Sequence, residues 1–228
     1  MGIEVGGSNQ GQGRTLSLGG AIPTPAPTPN VQPSAAQAAA PKLELFKSDK
    51  LFLVKEQGRV EEVRFGGGWD PAEMGLPWDL DLCAIILDAS GSARMGKFVC
   101  FDKRYHVSEE DALRYSGDNQ DGKGDDIDEY VDMTFGLLKP DDVKIKLYVH
   151  IHNAANKGQH FGLVKNAFCR IEESNTKAIL AQFNLTDNYS GFTAIELGDF
   201  DRSGDVWSFT AIGRGMNEEC ETTIGRYL

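Results

Sequence analysis

The sequence predicts an all-β protein, an antiparallel two-sheet β-sandwich with long acidic metal-binding loops and at most one or two short helices, behind an N-terminal leader of different character. Three observations carry this. Short apolar runs recur between turn signals from Lys42 onward. One run, residues 144–152, alternates strictly, with Ile145, Leu147, Val149 and Ile151 on one face and Lys146, Tyr148, His150 and His152 on the other. Helical periodicity is scarce, which leaves sheet packed on sheet as the architecture.

The leader comes first. Residues 1–41 hold Pro23, Pro25, Pro27, Pro29, Pro33 and Pro41, and their only charges are Glu4 and Arg14. Proline alternating with small residues favours extended polyproline II, and such a segment buries too little apolar surface to offset its ordering entropy. It reads as a disordered Gly/Pro/Ala-rich leader or linker, with residues 42–228 as the folded domain. In that domain, strands are expected at 51–55 and 60–65 around the turn at Gln57-Gly58. The run Leu-Cys-Ala-Ile-Ile-Leu at 82–87 reads as a buried strand. A short strand at 98–101 follows the turn at Ser90-Gly91-Ser92. A helix is expected at 108–114, with Ser108 as cap and Asp111 three residues on. After the alternating strand come a helical turn at 162–166 and strands at 168–172, 179–184, 193–197 and 206–212.

Composition narrows the function. The formal net charge is -11 over 228 residues, so phosphate backbones are repelled and direct nucleic-acid binding is disfavoured. No apolar run approaches the ~18–20 residues that span a bilayer, and the N-terminus lacks the basic start and apolar core of a signal peptide. A soluble, cytoplasmic protein is the expectation. Cys83, Cys100, Cys169 and Cys220 show no C-x-x-C spacing, which points to reduced, buried thiols rather than a zinc cluster or a disulfide framework.

The densest chemistry lies between Ser108 and Asp132, where acidic side chains are opposed only by Arg114 and Lys123. Its centre reads Gly117-Asp118-Asn119-Gln120-Asp121-Gly122-Lys123-Gly124-Asp125-Asp126-Ile127-Asp128-Glu129. Carboxylates this close repel one another unless a cation neutralises them. The glycines let carbonyls and carboxylates turn inward together. Hard oxygens on a flexible loop suit Ca²⁺, with ~6–8 ligands, better than the strictly octahedral Mg²⁺. The stretch is no EF-hand: its sixth position is Lys123, where that loop turns on glycine, and no amphipathic helices flank it. The plain alternative is a solvated acidic loop. Asp79 and Asp81 flank Leu80 just before the buried run and project from one face of an extended chain. Asp70 lies upstream, after Trp69. Sequence-distant acids at strand ends are what a loop-built metal site requires.

Three blocks, in order, resemble the TerD family of tellurite-resistance and stress-response proteins. They are Trp69-Asp70 with Asp79-Leu80-Asp81-Leu82-Cys83-Ala84; Gly117-Asp118-Asn119 with Gly124-Asp125-Asp126; and Ile151-His152-Asn153-Ala154 with Gly158-Gln159-His160-Phe161-Gly162 and Asn166-Ala167-Phe168. The resemblance spans roughly residues 51–214. It implies a two-sheet sandwich with one or two Ca²⁺ ions in an acidic pocket and no established enzymatic activity. It further implies protein partners, a membrane-embedded one of the TerC type among them, through which a cytoplasmic protein would sit at the inner membrane. The loop between the two glycine-acid blocks is shorter than the family's, and Asn153 stands where the family has an acid. The expected metal ligands are Asp79, Asp81, Asp118, Asn119, Asp125, Asp126 and Glu129.

Other patterns are weaker. His150 and His152 share a strand face but lack a third ligand at zinc spacing. Gly66-Gly67-Gly68 opens no helix and lacks the phosphate-loop lysine. No G-x-S-x-G motif occurs. The rival readings are a metal-dependent hydrolase using the same carboxylates and a structural or phage-associated interaction module tethered by the leader.

Overall fold

The computed structural model describes residues 4–8, 12–17, 50–55, 58–124 and 126–228. In chain order the strands are β1 (Glu4–Ser8), β2 (Gln12–Ser17), β3 (Lys50–Phe52), β4 (Val54–Lys55), β5 (Gly58–Arg59), β6 (Glu62–Gly68), β7 (Leu80–Leu87), β8 (Phe98–Val99), β9 (Leu113–Tyr115), β10 (Glu129–Thr134), β11 (Lys144–Ile151), β12 (Phe168–Glu173), β13 (Ile179–Asn184), β14 (Ala194–Ser203) and β15 (Val206–Met216). The α-helices are α1 (Ala154–Lys157) and α2 (Cys220–Gly225). The larger sheet runs β2-β1-β3-β15-β14-β11-β7-β8 and the smaller β13-β12-β6-β10-β9, with β4-β5 as a separate ribbon. The pairings are antiparallel, as the period-2 pattern predicts. Of the leader, residues 4–8 and 12–17 are described, and their backbones pair as a hairpin on β3. The remainder of the leader lies outside the described residues.

The strand β11 shows why the register is fixed. Ile145, Leu147, Val149 and Ile151 are all buried in the inter-sheet core. Burying each contributes ~1.5–3 kcal/mol, so a one-residue slip would forfeit several kcal/mol at once. The neighbouring β7 is apolar from Leu82 onward because both of its faces are covered. Leu80, Leu82, Ala84 and Ile86 join the inter-sheet core. Cys83, Ile85 and Leu87 point the other way into a smaller core with Phe98, Cys100, Tyr148 and, from α2, Cys220 and Ile224. The C-terminal segment is pinned there by a Tyr148–Tyr227 hydroxyl pair at 2.6 Å and by the Tyr227 carbonyl accepting the Ala93 N–H at 2.7 Å.

The structure corrects the helix expected at 108–114. Ser108 does cap, but its Oγ accepts the N–H of Leu113 across a tight turn at 3.0 Å, and Asp111 sits in left-handed backbone at φ 64°. The chain then enters β9 instead of a helix. The turn expected at 162–166 is a single 3-10 turn at Phe161–Leu163. The strand expected at 60–65 begins two residues later and runs on through the three glycines as β6.

Those glycines have a packing reason. The connection between β9 and β10 is the acidic loop, and it folds down onto β6. A Cβ at Gly68 would lie 2.1 Å from the backbone oxygen of Asp126, and one at Gly66 would lie 2.6 Å from Ile127 Cδ1. Only bare backbone lets the loop come this close.

Candidate metal centre

Asp79 and Asp81 lie at i and i+2 on the approach to and start of β7, facing away from the inter-sheet core, and both are buried. The acidic loop brings Asp118 to them. One carboxylate oxygen from each of Asp79, Asp81 and Asp118 falls within 4.8 Å of the others. Asp118 is exposed, so the group opens to solvent on its side.

Two features set the cluster apart. Asp79 Oδ1 and Asp81 Oδ1 are buried with no hydrogen-bond partner among the described residues, a costly state for a carboxylate. Burial lifts the Asp81 carboxyl to about 6, against the pull of its His152 partner, and burial also lifts that of Asp79. Two cationic groups partly offset the charge. His152 Nδ1 lies 3.2 Å from Asp81 Oδ2, and Lys157 Nζ lies 3.7 Å from Asp79 Oδ2. The bond to Asp81 raises His152 to about 8. The sequence placed His152 on a strand face beside His150 and in a motif, without a link to Asp81. Its pairing with Asp81 depends on the β7–β11 register, in which Asp81 faces His150 and Leu80 faces Ile151.

The loop is fastened by neighbours of these acids. Glu129 is fully buried where β10 begins. Its carboxyl accepts the Tyr115 hydroxyl, the Leu82 N–H at 3.3 Å and the Asn119 N–H at 2.8 Å. Burial, with the nearby charge of Asp81, pushes Glu129 well above the usual carboxyl range. Asn119 Oδ1 accepts the N–H groups of Asp121 and Gly122 at 3.2 and 3.0 Å, closing a local turn. Gly122 holds φ +66° against the Trp69 indole, where a Cβ would come within 2.4 Å of Nε1.

The expected ligands therefore separate. Asp79, Asp81 and Asp118 converge. Asn119 and Glu129 are adjacent but occupied in shaping the loop. Asp126 points elsewhere, to a salt bridge with Arg170. Asp125 lies outside the described residues. A second concavity, about 400 Å³, gathers Asp70, Asp126 and Asp128 beside Trp69. There Asn166 engages Asp70 at 2.7 Å and the Trp69 N–H engages Asp128 at 2.9 Å, so these acids already have partners. The two histidines of the alternating strand do not form a zinc pair: His150 is wholly buried against Thr223 Oγ1 at 2.9 Å, while His152 turns to Asp81.

The chain is thus an antiparallel sandwich with acids from a strand end and a long loop at one mouth. The comparisons name its family. A TerD domain profile matches residues 42–227, and the chain belongs to the TerD family. It is 33% identical to general stress protein 16U of Bacillus subtilis over 76% of this chain and 90% of that one. It is 32% identical to the tellurium resistance protein TerD of an Alcaligenes species over 81% of this chain and 96% of that one. A crystal structure of a Streptomyces coelicolor homologue of TerD shares the fold at 24% identity and TM-score 0.62, covering 72% of this chain and 95% of that one. The family thus ties the chain to tellurium resistance and stress response. Among the described residues no helix is long and apolar enough to cross a membrane.

Proposed function

We propose that this protein is a calcium-binding, non-enzymatic module of a tellurite and chemical-stress response system, acting through protein partners. The observation that carries the reading is the convergence of Asp79, Asp81 and Asp118 with two buried, unpartnered oxygens among them. The donors fit the ion. Calcium–oxygen distances of ~2.3–2.6 Å place ligands on opposite sides of one ion about 5 Å apart, which matches a spread within 4.8 Å. The donors are hard oxygens, which suit a hard cation, and a spread of about 5 Å fits the longer calcium–oxygen distances better than the ~2.0–2.1 Å of magnesium.

Bound there, the ion would supply positive charge, and nothing catalytic is asked of it. Asp79 and Asp81 hold from the strand and Asp118 from the loop. His152 and Lys157 set the charge balance. Glu129 and Asn119 keep the loop in position. A changed charge and a fixed loop at the sandwich mouth give a partner a calcium-dependent surface. The relatives bear the names of resistance and stress proteins, which supports the stress-response part of this reading. A TerC-type membrane partner and a cytoplasmic location at the inner membrane rest on the family resemblance.

The test is calorimetric titration of Ca²⁺ and Mg²⁺ into the chelator-stripped full chain beside three variants. Wild type is expected to bind calcium at micromolar strength or tighter and to prefer it over magnesium. Asp81→Asn and Asp118→Asn should each weaken calcium by at least about tenfold, ~1.4 kcal/mol. Asp126→Asn should leave it unchanged. Millimolar, unselective binding, or a loss confined to Asp126→Asn, would sink this reading.

A further inference from the structure

The concavity beside Trp69 holds a buried polar group that the carboxylate cluster does not use. Its floor is the outer face of the smaller sheet, where the β12–β13 ladder sets Phe168 against Asn184 and Arg170 against Gln182. The alternate residues Cys169, Ile171, Ala181 and Phe183 point into the inter-sheet core. Gln182 is only 9% exposed and lines the concavity. Its side-chain amide has no hydrogen-bond partner among the described residues. Its cross-strand neighbour Arg170 is committed elsewhere, to Asp126 and Glu172. A buried amide with donor and acceptor both unmet costs free energy that a ligand in the concavity would recover.

The walls define the chemistry of that ligand. Asp70, Asp126, Asp128 and Asp187 line the space, and among the described residues no lysine, arginine or histidine does. Asn166 engages one oxygen of Asp70 at 2.7 Å and Asn184 one oxygen of Asp187 at 2.8 Å. The second oxygen of each has no partner among the described residues. A neutral polyol could donate to these oxygens but would leave their charge in place. A cationic N–H group answers both needs, and such charge-assisted bonds are about twice as strong as neutral ones. A bare metal ion is too small, because no three of these acids bring oxygens within 4.8 Å of one another. A volume of about 400 Å³ instead suits an organic molecule. The rings of Trp69 and Phe168 supply carbon surface between the polar groups.

We propose that this concavity binds a linear aliphatic polyamine, for which spermidine is the probe. Ammonium groups bond to the free oxygens of Asp70 and Asp187, the Gln182 amide oxygen accepts from a further nitrogen, and the methylenes between them lie on Trp69 and Phe168. The ligand's alternation of charge and hydrocarbon matches the alternation of carboxylate and ring in the walls. The site shares no residue with Asp79, Asp81 and Asp118 and does not rest on calcium binding there.

The experiment is calorimetric titration of spermidine into the full chain at about 0.15 M salt, where attraction to distant surface charge is screened. Wild type is expected to bind one equivalent, with the same affinity before and after calcium is added. Gln182→Leu leaves the net charge untouched and should weaken spermidine by at least about tenfold. Asp187→Asn should do the same, and because Asp187 is exposed it keeps the test alive should Gln182→Leu fail to fold. Asp141→Asn makes an equal change of charge at another exposed position and should have no effect. Acetyl-lysinamide, with a single ammonium group, should bind at least about tenfold more weakly than spermidine. No binding by wild type, or equal losses in Asp187→Asn and Asp141→Asn, would overturn the proposal. Spermidine displaced by calcium would make the concavity a metal site, and acetyl-lysinamide bound as tightly as spermidine would make it a seat for a protein's lysine. Either result would overturn it too.

Discussion

Glu129 shows how much one residue can decide. The sequence places it at the end of an acidic run, where it reads as a ligand. In the structure it turns inward and takes hydrogen bonds from Tyr115, Leu82 and Asn119, which lie on β9, on β7 and in the loop. Burial holds this carboxyl well above the usual carboxyl range, and glutamine keeps its shape while giving up one of its two acceptor oxygens. Glu129→Gln is expected to keep calcium affinity within about twofold, whereas Tyr115→Phe removes a donor to a buried group and should cost about 1–3 kcal/mol. Chemical denaturation and calcium titration of the two variants check this. A large loss of calcium affinity in Glu129→Gln would make that residue a ligand after all.

At the scale of elements, the acidic loop and β6 are complementary parts. The loop supplies Asp118, and β6 supplies a groove of bare backbone in which it lies. Gly68→Ala puts a methyl against the Asp126 carbonyl and should cost about 1–3 kcal/mol by overpacking, while lifting the loop and weakening calcium binding. Equal stability with lost affinity, or the reverse, would show that seat and site are not linked. The sequence showed the strands with strong alternation or long apolar runs, such as β7 and β11. It hid β9 and β10, because Leu113 and Tyr115, and Val131 and Met133, alternate over too few residues inside an acidic stretch. It showed Asp79 and Asp81 as a pair and Asp118 as a candidate. Their convergence and the Asp81–His152 bond depend on pairings between distant strands, which local pattern does not encode.

For the whole molecule, pH tests the charge balance of the metal-free state. His152 is raised from 6.5 to about 8 by Asp81. Its contribution to stability is therefore complete below the unfolded value near 6.5 and is lost as pH rises through about 8. Asp81, raised to about 6, favours the acid side as well, and its loss is complete by neutrality. His150 runs the other way. Burial lowers it to about 4, so its contribution disappears as pH falls from 6.5 towards 4. Between pH 6.5 and 8 the His152 contribution is the largest of these three changes. Chelator-stripped protein should melt at a lower temperature at pH 8 than at pH 6.5. His152→Gln should flatten that difference, and an unaltered difference in the variant would assign it to other groups.

The three-way hold of Glu129 also bears on speed. A loop already latched to both sheets has no folding to complete when an ion arrives. Capture at Asp79, Asp81 and Asp118 would then be limited by how fast the ion sheds water, and how long it stays would be set by escape through the exposed side at Asp118. A protein built this way would follow a rise in its ion without delay, and its memory of the signal would last only as long as the ion remains bound.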